Sequence, residues 1–307
     1  MEPTTPTIFP FAHLSTLLDM YIVGIDAGGT KTDFLLCDEN EKVLNRVILG
    51  SGNPNDIGID ALLDMLRDGL NELCGDITPD AIFAGVSGGG FGENAEKIGD
   101  FLRSNYPNSA VRNGTDALNL IGCSNYSDNV GALICGTGSA LFILDGGKLF
   151  RYGGWGHLFD NGGSGYDIGR DALRLLLEAE ESSQNTLQDP LFSLLLDELG
   201  SSAHESISTL YSKGKAYIAS LAPIVFKALE SGSPLARSII DLNAASVASR
   251  ISSALSEHPS LNELVCAGGL FNSPEFRASL LSKISVPLFF PSCSPSLGAV
   301  RLAKRLL

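Results

Sequence analysis

The residues of this 307-residue chain best suited to chemistry lie in two glycine-rich turns and one strand-end loop. The first turn runs Asp26-Ala27-Gly28-Gly29-Thr30-Lys31, between the apolar runs Tyr21-Ile22-Val23 and Phe34-Leu35-Leu36-Cys37. Glycines let backbone N–H groups approach an anion closely, while Thr30 adds a hydroxyl and Lys31 a positive charge. Asp26 is an acid beside that anion site, which makes electrostatic sense when a Mg²⁺ lies between the two. A tight turn with merely solvated polar residues would have the same composition. The second turn, Gly136-Thr137-Gly138-Ser139, shifts the balance: it stands 108 positions on (Gly28 to Gly136), again between two apolar runs. Two related halves, each with a Gly-rich hairpin, could grip a nucleoside triphosphate from both sides. Neither turn has the P-loop spacing or the dinucleotide fingerprint G-x-G-x-x-G. Asp116, in Asn113-Gly114-Thr115-Asp116, stands between a strand and a helix. A carboxylate there can take a proton from a hydroxyl nucleophile or cap the helix.

The elements that must position these groups follow from hydrophobic period. Strands are expected at 21–26, 32–37, 43–49, 81–86 and 110–112, with helices at 57–73, 93–103 and 117–123. Strands at 131–135, 139–144 and 148–152 repeat the opening meander. Helices are then expected at 171–181, 189–199, 203–211, 216–230, 234–256, at Pro274 onward and at 296–307, with strands at 264–269 and 285–290. Three antiparallel strands followed by β-α-β-α units make a mixed sheet covered by helices. The segment Gly153–Arg170 holds seven glycines and reads as a functional loop.

Composition narrows the classes. A net charge of −14 argues against a nucleic-acid partner. No apolar run reaches the ~18 residues of a membrane span. The six cysteines are scattered without a C-x-x-C pair, so they read as reduced thiols of a cytoplasmic protein, and the four dispersed histidines give little support for zinc. Residues 1–19 lack a basic n-region and an A-x-A site, so they are treated as an extension rather than a signal peptide; Met20 could serve as the natural start.

Four motifs in order, Asp26-Ala-Gly-Gly-Thr-Lys-Thr32, Gly136-Thr-Gly-Ser139, Gly153-Gly-Trp-Gly-His157 and Ala267-Gly-Gly269, resemble the acetate-kinase/sugar-kinase/Hsp70/actin superfamily. The set is most similar to its N-acetylglucosamine kinase branch, grouped with the BadF/BadG/BcrA/BcrD ATPases. Gly153–His157 followed by Gly163-Ser-Gly-Tyr166 is the most specific part. The resemblance implies two actin-like, ribonuclease-H-like α/β domains, each a mixed sheet with helices, around an ATP cleft. Their expected extents are 20–119 with the last helix 296–307 returning to it, and 120–295. It further implies ATP and Mg²⁺ as cofactors, an amino sugar as acceptor, a homodimer, and neither membrane nor nucleic acid as partner.

Carried onto this chain, the resemblance makes Asp116 the catalytic base and Asp26 the Mg²⁺ ligand. Gly28, Gly29, Thr30, Lys31, Gly136, Thr137 and Gly138 would hold phosphates, with Gly268, Gly269 and Ser273 by the adenosine. Asn53, Ser87, Gly88, Ser139, Gly154, Trp155, Gly156 and Asn161 would join Asp116 and Gly138 around the sugar. Asn53 could equally be a turn former before Pro54, and Trp155 simple core packing. His157 reads as a structural hydrogen-bonding residue. The chain departs from relatives at Asp160-Asn161-Gly162, where they usually read G-D-E. Gly162 in place of Glu is expected to make room for a bulkier or anionic amino sugar such as N-acetylmuramic acid. Other readings are a glucosamine or hexose kinase, a BadF-type ATPase activating a partner enzyme through a cysteine-held cluster, and a non-catalytic sugar sensor; an intact Asp116 argues against the last.

Overall fold

The computed structural model describes residues 20–90, 92–160, 162–182 and 188–307. Its first sheet contains β1 (Ile22–Ala27), β2 (Thr32–Cys37), β3 (Val43–Leu49), β4 (Ala81–Val86) and β5 (Ala110–Gly114), in the order β3-β2-β1-β4-β5. Its second contains β6 (Val130–Cys135), β7 (Ser139–Asp145), β8 (Lys148–Gly153), β9 (Glu263–Ala267) and β10 (Leu288–Phe289), in the order β10-β9-β6-β7-β8. Read from the meander edge, the two orders are the same. In each, three antiparallel strands are followed by two that run parallel to the first. The expected duplication is therefore a duplicated topology.

In the first half, α1 (Pro54–Ile57), α2 (Ile59–Cys74), α3 (Gly92–Asn105) and α4 (Asp116–Ile121) join the strands. Leu62, Leu66, Leu70 and Leu73 form the buried stripe of α2, each worth roughly 1.5–3 kcal/mol. Gly69 on that stripe makes room for Phe34, since a Cβ there would lie 2.4 Å from the ring. The second half carries α5 (Gly165–Glu181), α6 (Pro190–Leu199), α7 (Ala203–Ser220), α8 (Ala222–Glu230), α9 (Pro234–Glu257), α10 (Pro274–Leu281) and α11 (Pro295–Lys304). The largest apolar core joins α5, α6, α8 and α9 to β6, β7 and β9.

The last helix, α11, packs against the first sheet. Gly24 on β1 permits this: a Cβ there would sit 2.4 Å from both Ser296 O and Val300 N. Gly298 of α11 likewise lies against α4, where a Cβ would come within 1.9 Å of Asn119 O. Buried Ser296 donates to Asp33 Oδ2 at 2.9 Å, and Arg46 holds the same carboxylate with bonds of 2.8 and 2.7 Å.

The expected helix 57–73 is two helices, α1 and α2, and the expected 296–307 ends at Lys304; two further boundaries differ more. α5 starts at Gly165 rather than near 171, because Ser164 caps it by accepting from Asp167 N at 3.1 Å. Its Gly169 is needed for close packing, since a Cβ would come within 2.0 Å of Ile218 O. The expected helix 216–230 is divided. Its first part continues α7 beyond a break at Gly214 (φ 68°), and α8 begins anew at Ala222 with Pro223 in its first turn. Among the described residues no helix is long and apolar enough to cross a membrane.

Candidate active site

The first turn is closed by Gly28 N donating to Lys31 O at 2.9 Å, which leaves Gly29, Thr30 and Lys31 exposed. Gly52 N donates to Gly28 O, also at 2.9 Å, tying the loop before Asn53 to the turn. Asn53 then caps α1 by accepting from Asn55 N at 3.0 Å. The turn-former role is thus real, and it leaves Asn53 at a cavity wall. Parallel pairing of β4 with β1 brings Ser87 beside this turn, its N–H donating to Ala27 O at 2.8 Å. Gly88 has φ +70°, and a Cβ there would press on Asn53 and Asn55 at 2.4–2.5 Å.

Asp26 is half-buried at the end of β1 and accepts from Asn119 Nδ2 at 2.7 Å. Burial pushes its carboxyl from an ordinary 3.8 up to about 6; the charges of Asp116 and Asp33 push the same way, against Asn119 and Lys31. An anion so disfavoured, with no ion-paired side chain among the described residues, is suited to an external cation. Among the described residues no group of three or more His, Cys, Asp or Glu forms a protein-only cage. A single oxygen donor beside a glycine-rich turn could hold Mg²⁺, which is usually bound by one or two carboxylates, phosphates and water.

Asp116 opens α4, with Thr115 as the N-cap residue. Its Oδ1 accepts from Thr115 Oγ1 at 2.9 Å and from Ala117 N at 3.0 Å. Part of the capping role therefore holds, while the half-buried carboxylate also lines a cavity. Asn119, one turn further along α4, links Asp116's helix to Asp26.

The second turn repeats the first. Gly136 N donates to Gly138 O at 2.9 Å, and the start of α5 donates into the turn from Gly165 N to Gly136 O at 2.7 Å. Thr137 and Gly138 are exposed, with open space beside Gly138. The parallel pairing of β9 with β6 delivers Gly268 to this turn. It has φ +112°, and a Cβ would collide with Cys135 O at 2.3 Å. Ser273 caps α10, accepting from Phe276 N at 3.2 Å and donating to Glu275 at 2.8 Å.

Three cavities adjoin along these turns. The first, about 740 Å³, is lined by Gly136, Thr137, Gly269, Ser273, Phe226 and Lys227 among others. The second, about 280 Å³, shares Gly136 and Thr137 with it and adds Gly138, Ser139, Gly156, His157 and Tyr166. The third, about 430 Å³, shares Ile134, Ala140 and Gly154 with the second and adds Asn53, Ser87, Gly88, Asp116 and Arg151. Residues from both sheets thus enclose one path from Ser273 to Asp116.

Not every expected residue joins that path. Gly28, Gly29, Thr30 and Lys31 stand at an exposed turn rather than in these walls, and Gly268 supports Cys135 and Gly136 from behind. Ser139 borders the second cavity, but it is buried and its hydroxyl accepts from Arg250 Nη1 at 2.6 Å. Trp155 is not core packing: it is 63% exposed and lies 4.3 Å from the Arg151 guanidinium. His157 packs edge-on against Tyr166. Asn161 lies outside the described residues. Gly162 makes no room in a cavity, because a Cβ there would point at Ser246, 2.8 Å from its Oγ. Sequence reasoning missed Asn119 and Arg151. The signals available were one Asn within the apolar run Ala-Leu-Asn-Leu-Ile and a cation just before Gly153-Gly154.

The two duplicated sheets and the path between them define the two-domain actin-like fold of the sugar kinases. A putative N-acetylglucosamine kinase from Porphyromonas gingivalis superposes with a TM-score of 0.70 at 20% identity, covering 92% of this chain and 99% of that one. Residues 23–303 match the BadF/BadG/BcrA/BcrD ATPase family, and the chain belongs to it. It is 29% identical over 304 residues to an N-acetylmuramic acid/N-acetylglucosamine kinase of Clostridium acetobutylicum, covering 92% of this chain and 98% of the relative. It is 28% identical over 319 residues to an N-acetyl-D-glucosamine kinase of Dictyostelium discoideum, with 92% and 97% covered.

Proposed function

We propose that the protein is an ATP-dependent amino-sugar kinase that transfers the γ-phosphoryl group to the 6-hydroxyl of N-acetylglucosamine and of N-acetylmuramic acid. The observation that carries this reading is the continuity of the three cavities, with the Gly136–Gly138 turn between the large cleft and the cavity holding Asp116. ATP would lie with its adenosine toward Gly269 and Ser273 and its phosphates on the second turn, closed from the other side by Gly28–Lys31. Closure of 20–119 with 296–307 onto 120–295 would bring the turns together and exclude water.

Asn53, Ser87, Gly88, Gly154 and Gly156 would orient the sugar, and Asp116 would accept the hydroxyl proton as the new P–O bond forms. Alignment of hydroxyl and phosphoryl group supplies much of the rate. Mg²⁺, held through Asp26, would neutralise phosphate charge. The same reading makes the enzyme a cytoplasmic homodimer. A partner-activating ATPase is less well supported: five of the six cysteines are buried, so they are poorly placed to share a cluster with a second subunit.

The test is ADP formation with Mg-ATP and N-acetylglucosamine, N-acetylmuramate, glucosamine, glucose or no sugar. Stimulation by the N-acetylated sugars is expected. Equal ADP release in every sample would move the protein to the ATPase class, and preference for glucosamine or glucose would move it to those kinases.

A further inference from the structure

We infer that Arg151 is the receptor for a carboxylate carried by the acceptor sugar; this rests on the amino-sugar kinase reading and names the residue that sets its preference. Arg151 lies on β8, and its side chain lines the cavity that contains Asp116. Arg46 pairs with Asp33, Arg170 with Asp167 and Asp171, and Arg301 with Glu41. Arg151, like Arg250 and Arg277, has no acid partner among the described residues, and of these three it is the one that lines the cavity with Asp116. Its Nε donates to Gly153 O at 2.9 Å, its Nη2 donates to Gly154 O, and Nη1 has no hydrogen-bond partner among the described residues.

The exposed Trp155 ring covers the guanidinium at 4.3 Å, which fixes a face and leaves an edge for a planar anion. Gly154 (φ +77°) is part of this seat, because a Cβ there would lie 3.0 Å from Arg151 Nη2. A half-buried guanidinium held by two carbonyls and a ring keeps its full charge uncompensated until an anion arrives. Asp116 lines the same cavity, yet among the described residues it forms no ion pair with Arg151, and its Oδ1 is turned to Thr115 and Ala117.

The nucleotide's phosphate is the competing anion. Arg151 lines neither the large cleft nor the cavity along the Gly136–Gly138 turn, and shares its own cavity with Asn53, Ser87 and Gly88. The geometry therefore favours a substituent of the sugar. It also replaces the argument from Gly162, whose missing side chain would face α9.

The experiment measures kcat/KM for N-acetylmuramate, its lactyl methyl ester and N-acetylglucosamine, and KM for ATP, in the native protein, Arg151→Met and Arg151→Lys. Methionine keeps the apolar stem against Trp155 and removes the charge. The preference for N-acetylmuramate over N-acetylglucosamine should fall about 10- to 100-fold in Arg151→Met. Esterification should cost the native protein the same factor and cost Arg151→Met no more, while Arg151→Lys recovers part of the preference. An unchanged preference ratio, or an effect confined to KM for ATP, would overturn the inference. Where the variants fold poorly, the ester comparison on the native protein still keeps the inference refutable: no loss on esterification overturns it. Native turnover of N-acetylglucosamine but not N-acetylmuramate overturns only this inference; turnover of no amino sugar overturns the kinase reading beneath it.

Discussion

Replacing Asp26 with Asn should stabilise the ligand-free protein above neutrality while removing activity. The half-buried carboxyl titrates at about 6 instead of 3.8, mainly through burial, with Asp116 and Asp33 adding repulsion. Because the folded-state value is raised, the folded protein binds this proton more tightly than the unfolded chain. The resulting stability is fully present below 3.8 and is lost as pH rises through 6. The anion therefore costs at most about 3 kcal/mol at pH 8, and about 2 after allowance for the solvent that reaches the group. Asparagine keeps an oxygen to accept from Asn119 Nδ2 and carries no charge. Urea unfolding of both proteins at pH 4.5 and pH 8, without nucleotide or Mg²⁺, reads the difference. Asp26→Asn should gain about 1.3 kcal/mol over the native protein between these pH values, because the unfolded carboxyl is already mostly ionised at pH 4.5, and should lose the stabilisation that Mg-ATP gives the native protein. A gain of the same size at both pH values, or a loss at pH 8, would refute the electrostatic argument. A variant as active as the native enzyme would remove Asp26 from the site.

Other residues give sharper local outcomes. Asp116→Asn should lower kcat about 10²- to 10⁴-fold with little change in melting temperature, because asparagine keeps the Oδ1 that accepts from Thr115 Oγ1 and Ala117 N; steady-state kinetics beside thermal unfolding checks both. Gly138→Ala and Gly268→Ala should separate binding from folding. Gly138 borders open space, so its variant should fold normally and bind ATP more weakly. A Cβ on Gly268 meets Cys135 O at 2.3 Å in a left-handed backbone, so its variant should lose about 2 kcal/mol or more of stability. Asn119→Leu, which leaves the Asp26 carboxylate without its buried donor, should cost about 1–3 kcal/mol at pH 8 by chemical denaturation.

The strands were the most legible part of the chain because their signal is local. The β2 and β3 runs end at the expected residues, and β1 and β6 through β9 lie within two residues of expectation at each end. The duplication was visible because both turns need glycine at the same place between two apolar runs. The Gly153–Arg170 segment was harder: its glycines suggest loop throughout, yet Gly165 and Gly169 belong to α5, the latter for the approach of Ile218. Asp116 and the Gly136 turn could be singled out by residue type and position. Arg151 and Asn119 could not, since what distinguishes them is the partners that the fold supplies. Gly162 is the converse case: in the sequence a missing side chain reads as space, whereas in the fold its Cβ position faces Ser246 of α9.

The measurement that bears most directly on the central claim is phosphorus–proton correlation NMR of the product formed from Mg-ATP and N-acetylglucosamine. The account predicts a phosphomonoester coupled to the two protons on C6, formed only when sugar is present and lost in Asp116→Asn. Inorganic phosphate as the sole new signal, released at the same rate without sugar, would contradict it.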